Sequence, residues 1–135
     1  MFIYVDGGAR GNPGPAAIGF VVYDDARQEL YRYGAPIGTH TNNYAEYMAL
    51  IEALSYLVSV HHERMATIYS DSQLIVRQMN GQYRVKDPTL VSLHRKARQL
   101  TKQIHGLHIT HIQRDENKVA DAIVNSVLDK RNIHE

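Results

Sequence analysis

Cysteine and tryptophan are both absent from this chain of 135 residues. Without cysteine there is no disulfide framework, no thiolate metal site and no cysteine nucleophile, so any catalysis falls to oxygen and nitrogen groups. Long apolar runs are missing as well. No stretch approaches the roughly 18 to 20 residues of a membrane span, and the opening Met1-Phe2-Ile3-Tyr4-Val5-Asp6 meets an acid too soon for a signal peptide. The expectation is a soluble, unexported, cytoplasmic protein with no membrane partner. Net charge is also small, 15 Lys and Arg against 14 Asp and Glu, so the total does not announce a nucleic-acid binder. What is present, 44% hydrophobic and 21% charged residues, suits one compact domain over residues 1–135 and is too short for two.

The charge is unevenly spread. Residues 1–60 hold three bases (Arg10, Arg27, Arg32) and six acids, whereas residues 84–118 hold eight bases and three acids. A basic side beside an acidic one suits a polyanion held against a metal site. A solvated helix face explains the same distribution equally well.

Phe2–Asp6, Ile18–Tyr23 and Glu29–Ile37 are rich in Ile, Val, Tyr and Phe and read as an antiparallel meander, with a shaped loop over Gly7–Pro15. After Thr41-Asn42-Asn43, which offers capping side chains, Tyr47, Leu50, Ile51, Leu54, Leu57 and Val58 recur with helical period to about Val60. Met65–Ser70 follows as a short strand and Ser72–Asn80 as a helix. Asp87-Pro88 caps another helix reaching about Ile104, Leu107–Ile112 is the last strand, and Glu116–Lys130 is the closing helix. The order predicts one α/β domain: a five-stranded mixed sheet whose later strands need helical crossovers.

Four acids fit poorly with this pattern. Asp6 ends an apolar strand and Asp71 ends another, where an ionised carboxylate is costly unless paired or metal-bound. Glu46 shares the stripe of Leu50, Ala53 and Leu54, and Asp121 lies beside Ala120, Val124 and Leu128. Singly, each reads as a cap, a turn residue or a first-turn acid. Together, on three kinds of position and aimed at one sheet edge, they would repel one another without a cation. Mg²⁺ or Mn²⁺ suits such oxygen donors. Zinc is the competing idea, given eight histidines, but His61-His62 and His105, His108 and His111 match no tight ligand motif.

These residues resemble type 1 ribonuclease H. Asp6-Gly7-Gly8-Ala9-Arg10-Gly11-Asn12-Pro13-Gly14-Pro15 is similar to its first-strand signature and Thr41-Asn42-Asn43-Tyr44-Ala45-Glu46 to its helix signature. Ser70-Asp71-Ser72-Gln73 and Glu116-Asn117-Lys118-Val119-Ala120-Asp121 are similar to the third and fourth, and the resemblance spans residues 2–128. It implies a ribonuclease H-like fold with helices on both faces of the sheet. It also implies a metal-dependent endoribonuclease that cuts the RNA strand of RNA/DNA hybrids, leaving 5′-phosphate and 3′-hydroxyl ends. Asp6, Glu46, Asp71 and Asp121 match the family's metal-binding acids, for two Mg²⁺ or Mn²⁺ ions per site. Asn12, Asn43 and Gln73 take substrate-contacting roles, with Gly11 letting backbone approach the minor groove and Thr41 and Asn42 as phosphate or groove contacts. Capping and turn roles remain open for Asn12, Asn42 and Asn43.

Two departures stand out. Only Asn80–Pro88 separates the second and third helices, so the chain resembles the short type without a basic protrusion, leaving Arg84, Lys86 and Arg95 to grip substrate. Members of that type sometimes act on double-stranded RNA as well. The mobile-loop histidine of many members has no clear counterpart: His111 has the right count but falls in a strand, and Arg114, in the loop Gln113–Asp115, is favoured as the catalytic helper, with an ion pair to Asp115 or Glu116 as its alternative. The rival readings are a catalytically weak module of the same fold that binds hybrid or double-stranded RNA, and another nuclease of the fold such as a junction resolvase. A monomer is the expected state.

Overall fold

In the computed structural model, which describes residues 1–60 and 65–133, the meander forms first. β1 (Phe2–Ala9) pairs antiparallel with β2 (Gly14–Tyr23), and β2 with β3 (Glu29–His40). Helix α1 (Asn42–Val60) carries the chain across so that β4 (Ala66–Ser70) lies parallel to β1. After α2 (Gln73–Met79) and α3 (Pro88–Thr101), β5 (Leu107–His111) lies parallel to β4. The strand order is β3-β2-β1-β4-β5, and a short 3₁₀ turn at Arg114–Glu116 leads into α4 (Lys118–Ile133). Among the described residues, no helix is long and apolar enough to cross a membrane.

Helices cover both faces, as expected. Successive residues of β1 point to opposite sides: a Cβ on Gly7 would strike Ala45 of α1, and one on Gly8 would touch Val124 of α4. The main core lies between the sheet and α1 with α3, where Ile3, Val5, Ile18, Phe20 and Val22 meet Leu50, Leu54 and Leu57. A smaller cluster of Ala17, Val124 and Leu128 seals α4 on the other face. There Ile123 lies over Gly19 and Gly34, with its Cγ2 where their side chains would begin, 2.8 and 2.5 Å from the positions of the missing Cβ atoms.

The helix starts follow from their caps. Thr41 Oγ1 accepts from Tyr44 N at 3.2 Å, Ser72 Oγ from Ile75 N at 3.3 Å, and Asp87 Oδ1 from Thr89 N at 2.8 Å, each satisfying a donor that the first helical turn leaves free.

The structure corrects three boundaries. The Gly7–Pro15 loop is only the turn Arg10–Pro13, closed by Arg10 N donating to Pro15 O at 2.8 Å, because β1 runs on to Ala9 and β2 begins at Gly14. Small residues there lower strand propensity, yet the backbone ladder persists and the missing bulk lets helices approach. β3 likewise extends to His40. The closing helix starts at Lys118, with Glu116 in the 3₁₀ turn before it.

Candidate active site

The parallel pairing of β1 with β4 ends at Val5 and Ser70. One residue further on, Asp6, which lies inside the extended β1, and Asp71, just past the end of β4, stand at the carboxyl end of that parallel pairing, where α/β sheets place their sites. Gly7 brings the third acid. With no side chain in the way, α1 sits directly on β1 at Ala45 and sets Glu46 over the same edge. Asp6, Glu46 and Asp71 each offer an oxygen, and these three atoms lie within 4.8 Å of one another.

Like charges this close in a half-buried place resist ionisation. Asp6 is pushed up to about 8, chiefly by burial and then by the charges of Asp71, Glu46 and Asp121. Glu46 is raised to about 7, again mainly by burial and also by Asp71, against the opposing pull of a hydrogen bond from Ser72 and the charge of Arg114. A cation would relieve both effects. The donor set is all carboxylate oxygen, on β1, just after β4 and on one helix, which fits a hard divalent ion.

Asp121, in the first turn of α4, stands outside the group of three. It shares a cleft of about 290 Å³ with Asp6, Glu46, Asn42, Arg114 and Asn125, and its Oδ2 accepts from Asn125 Nδ2 at 3.3 Å. Arg114 therefore reaches the acids from the 3₁₀ turn, whereas His111 is the last residue of β5, paired with Ser70. Among the described residues the three acids form the single group able to hold a metal, so His105, His108 and His111 build no zinc site. His61 and His62 lie outside the described residues.

The polar residues beside the cleft divide by how they are held. Asn12 Oδ1 accepts from Asn42 N at 3.0 Å and Asn42 Oδ1 from Ala9 N at 2.8 Å, so the two amides lock the β1–β2 turn to the start of α1. Gly11 turns that loop with φ of 102°. Thr41 is the helix cap. Asn43 and Gln73 are exposed and their side chains make no hydrogen bond among the described residues. Of the basic stretch, Arg98 is occupied in bonding Met79 O at 3.0 Å, while Arg84, Lys86 and Arg95 face solvent. Sequence reasoning missed Asn117, which is 1% exposed and donates to Asp71 Oδ2 at 3.1 Å. The sequence reading put Asn117 inside the first turn of the closing helix, and only the fold reveals its reach.

Comparison with known proteins decides the family. The pattern of the family described as reverse transcriptase-like matches residues 4–127. Ribonuclease HI of Halobacterium salinarum is 40% identical over 126 residues, covering 93% of this chain and 63% of that protein. The chain belongs to the type 1 ribonuclease H family. Within that family it is of the short form, with only residues 80–87 between α2 and α3. A bifunctional protein of Mycobacterium tuberculosis is 39% identical over 130 residues, 96% of this chain but 35% of its own length. The chain thus spans about a third to two thirds of these curated relatives. The structure of LC11-RNase H1 in complex with RNA/DNA hybrid superimposes with a TM-score of 0.91 at 44% identity, covering 96% of this chain and 97% of that one.

Proposed function

We propose that this ribonuclease H domain is a metal-dependent endoribonuclease that hydrolyses the RNA strand of RNA/DNA hybrids, leaving 5′-phosphate and 3′-hydroxyl ends. The observation that carries the reading is the convergence of Asp6, Glu46 and Asp71 within 4.8 Å. Its support from relatives is the 44% identical protein whose structure was solved with a hybrid.

Asp6, Glu46 and Asp71, with Asp121 from across the cleft, would hold Mg²⁺ or Mn²⁺. Bound there, divalent ions would supply an activated water and a counter-charge for the departing oxygen of an in-line phosphodiester displacement. The protein's own part is to keep the acids fixed on β1, α1 and the end of β4 and to bring the Arg114 charge to the cleft beside the scissile phosphate. Asn42, which lines the cleft, together with Gly11, Asn12, Thr41, Asn43 and Gln73, contacts the minor groove, where 2′-hydroxyls distinguish RNA from DNA. The lock between Asn12 and Asn42 presents them as one surface, and the free amides of Asn43 and Gln73 have donors and acceptors to spare.

The test is cleavage of end-labelled hybrid, duplex RNA, duplex DNA and single-stranded RNA in Mg²⁺, Mn²⁺ or EDTA, beside Asp71→Asn. Metal-dependent cutting confined to the RNA of the hybrid and lost in the variant is expected. Cutting of duplex RNA as well would widen the substrate class. Hybrid binding with no cutting under either metal would overturn the reading.

A further inference from the structure

Asn117 occupies the place of a helix cap without acting as one through its side chain. Its carbonyl accepts from Asp121 N at 3.1 Å, opening α4, but its amide turns away from the helix into the protein. There Nδ2 donates to Val5 O at 2.8 Å and to Asp71 Oδ2 at 3.1 Å. Both partners are acceptors, so the nitrogen must face them, and the opposite orientation would set oxygen against two oxygens. Both N–H bonds are thereby used. Oδ1, equally buried, has no partner among the described residues, which costs stability.

The place of these bonds matters more than their number. The β1–β4 ladder stops at Val5 and Ser70, and the next residues, Asp6 and Asp71, repel each other. Asn117 supplies the next rung from a third element, tying the peptide that precedes Asp6 to the carboxylate of Asp71. We infer that Asn117 is a positioning residue: it holds Asp71 in the orientation that meets Asp6 and Glu46, and so sets the affinity of the acid cluster for its cation. The inference rests on the proposed metal-dependent function, and it concerns a residue that never touches substrate.

Calorimetric titration of metal-free protein with Mn²⁺ and Mg²⁺ tests it, together with thermal unfolding in EDTA. Asn117→Ala is expected to bind either ion at least tenfold more weakly, while far-UV circular dichroism in EDTA remains that of the parent. In the unaltered protein, ¹⁵N-resolved NMR should show the Asn117 side-chain NH₂ signals moving along the same Mg²⁺ binding curve, a response absent from Asp71→Asn. This second readout stands even where the alanine variant fails to fold. Unchanged affinity in a folded Asn117→Ala, or NH₂ signals indifferent to Mg²⁺ in a protein that binds it, would overturn the inference alone. A parent protein that binds neither ion would overturn the metal-dependent reading itself.

Discussion

Gly7 and Ala45 are in such close apposition that a Cβ on Gly7 would lie 2.3 Å from the Ala45 carbonyl oxygen. The contact is backbone against backbone, so no side chain can swing aside. It decides how near Glu46 stands to Asp6. Gly7→Ala is therefore expected to push α1 off β1, lowering stability by about 1–3 kcal/mol as overpacking does and separating the acids. Urea denaturation and a Mn²⁺ titration of the same variant would check the two effects. A variant with parental stability and metal binding would show that α1 is free to shift.

The raised acids make a prediction about pH. Between the ordinary carboxylate range and the folded values of about 8 for Asp6 and about 7 for Glu46, the folded protein holds more protons than the unfolded chain. Stability without metal should then fall as pH rises from 5 to 8. Bound Mg²⁺ should flatten the trend, because the ion takes the place of the protons. Thermal midpoints in EDTA and in Mg²⁺ across this range would test it, with Asp6→Asn expected to lose part of the slope in EDTA. Cleavage should rise over the same interval as protons cease to compete with the ion.

The acids should not be equal in effect. Asp71 belongs to the group of three and Asp121 does not. Asp71→Asn is expected to lower kcat at least a hundredfold, about 3 kcal/mol of barrier, with the fold retained. Asp121→Asn should retain more activity, and more of it should return at high Mn²⁺. Single-turnover cleavage over a metal series distinguishes them, and equal losses would place Asp121 on the same footing as Asp71.

Asn12 offers a prediction in which fold and substrate contact separate. Removing its bond to Asn42 N leaves a helix-terminal donor unmet, for which a cost of about 1 kcal/mol is typical. Asn12→Ala should show that loss in thermal unfolding and, in addition, a higher KM for hybrid. Asn43→Ala, which breaks no hydrogen bond, should raise KM with unaltered stability. An unaltered KM in both variants would remove this surface from the substrate.

The acids and the long helix α1 were legible in the sequence for the same reason: each is written locally. Tyr47, Leu50, Leu54 and Leu57 repeat with the helical period, and a carboxylate closing an apolar run is conspicuous. The continuation of β1 through Gly7 and Gly8 was not, because glycine carries no strand signal and the pairing partners Ile18 and Ala17 lie eleven and nine residues away. Nor was Asn117. Its partners Val5 and Asp71 are 112 and 46 residues distant in the chain, and nothing local in the sequence points to them. Asp121 was correctly placed beside the inner face of its helix, but the spacing in the sequence could not tell that it stands apart from the other three acids.

In register across the sheet, Asp6 faces Gly19 and Gly19 faces Gly34, so a bare track of backbone leads outward from the acid on the central strand. Ile123 rides in that track like a key in a keyway, two residues from Asp121. The reach of the fourth acid toward the cleft is thereby gauged by hydrocarbon: a methyl group more or less at position 123 would raise or lower the last helix, and the spacing of charges would follow the volume of an aliphatic side chain that carries none.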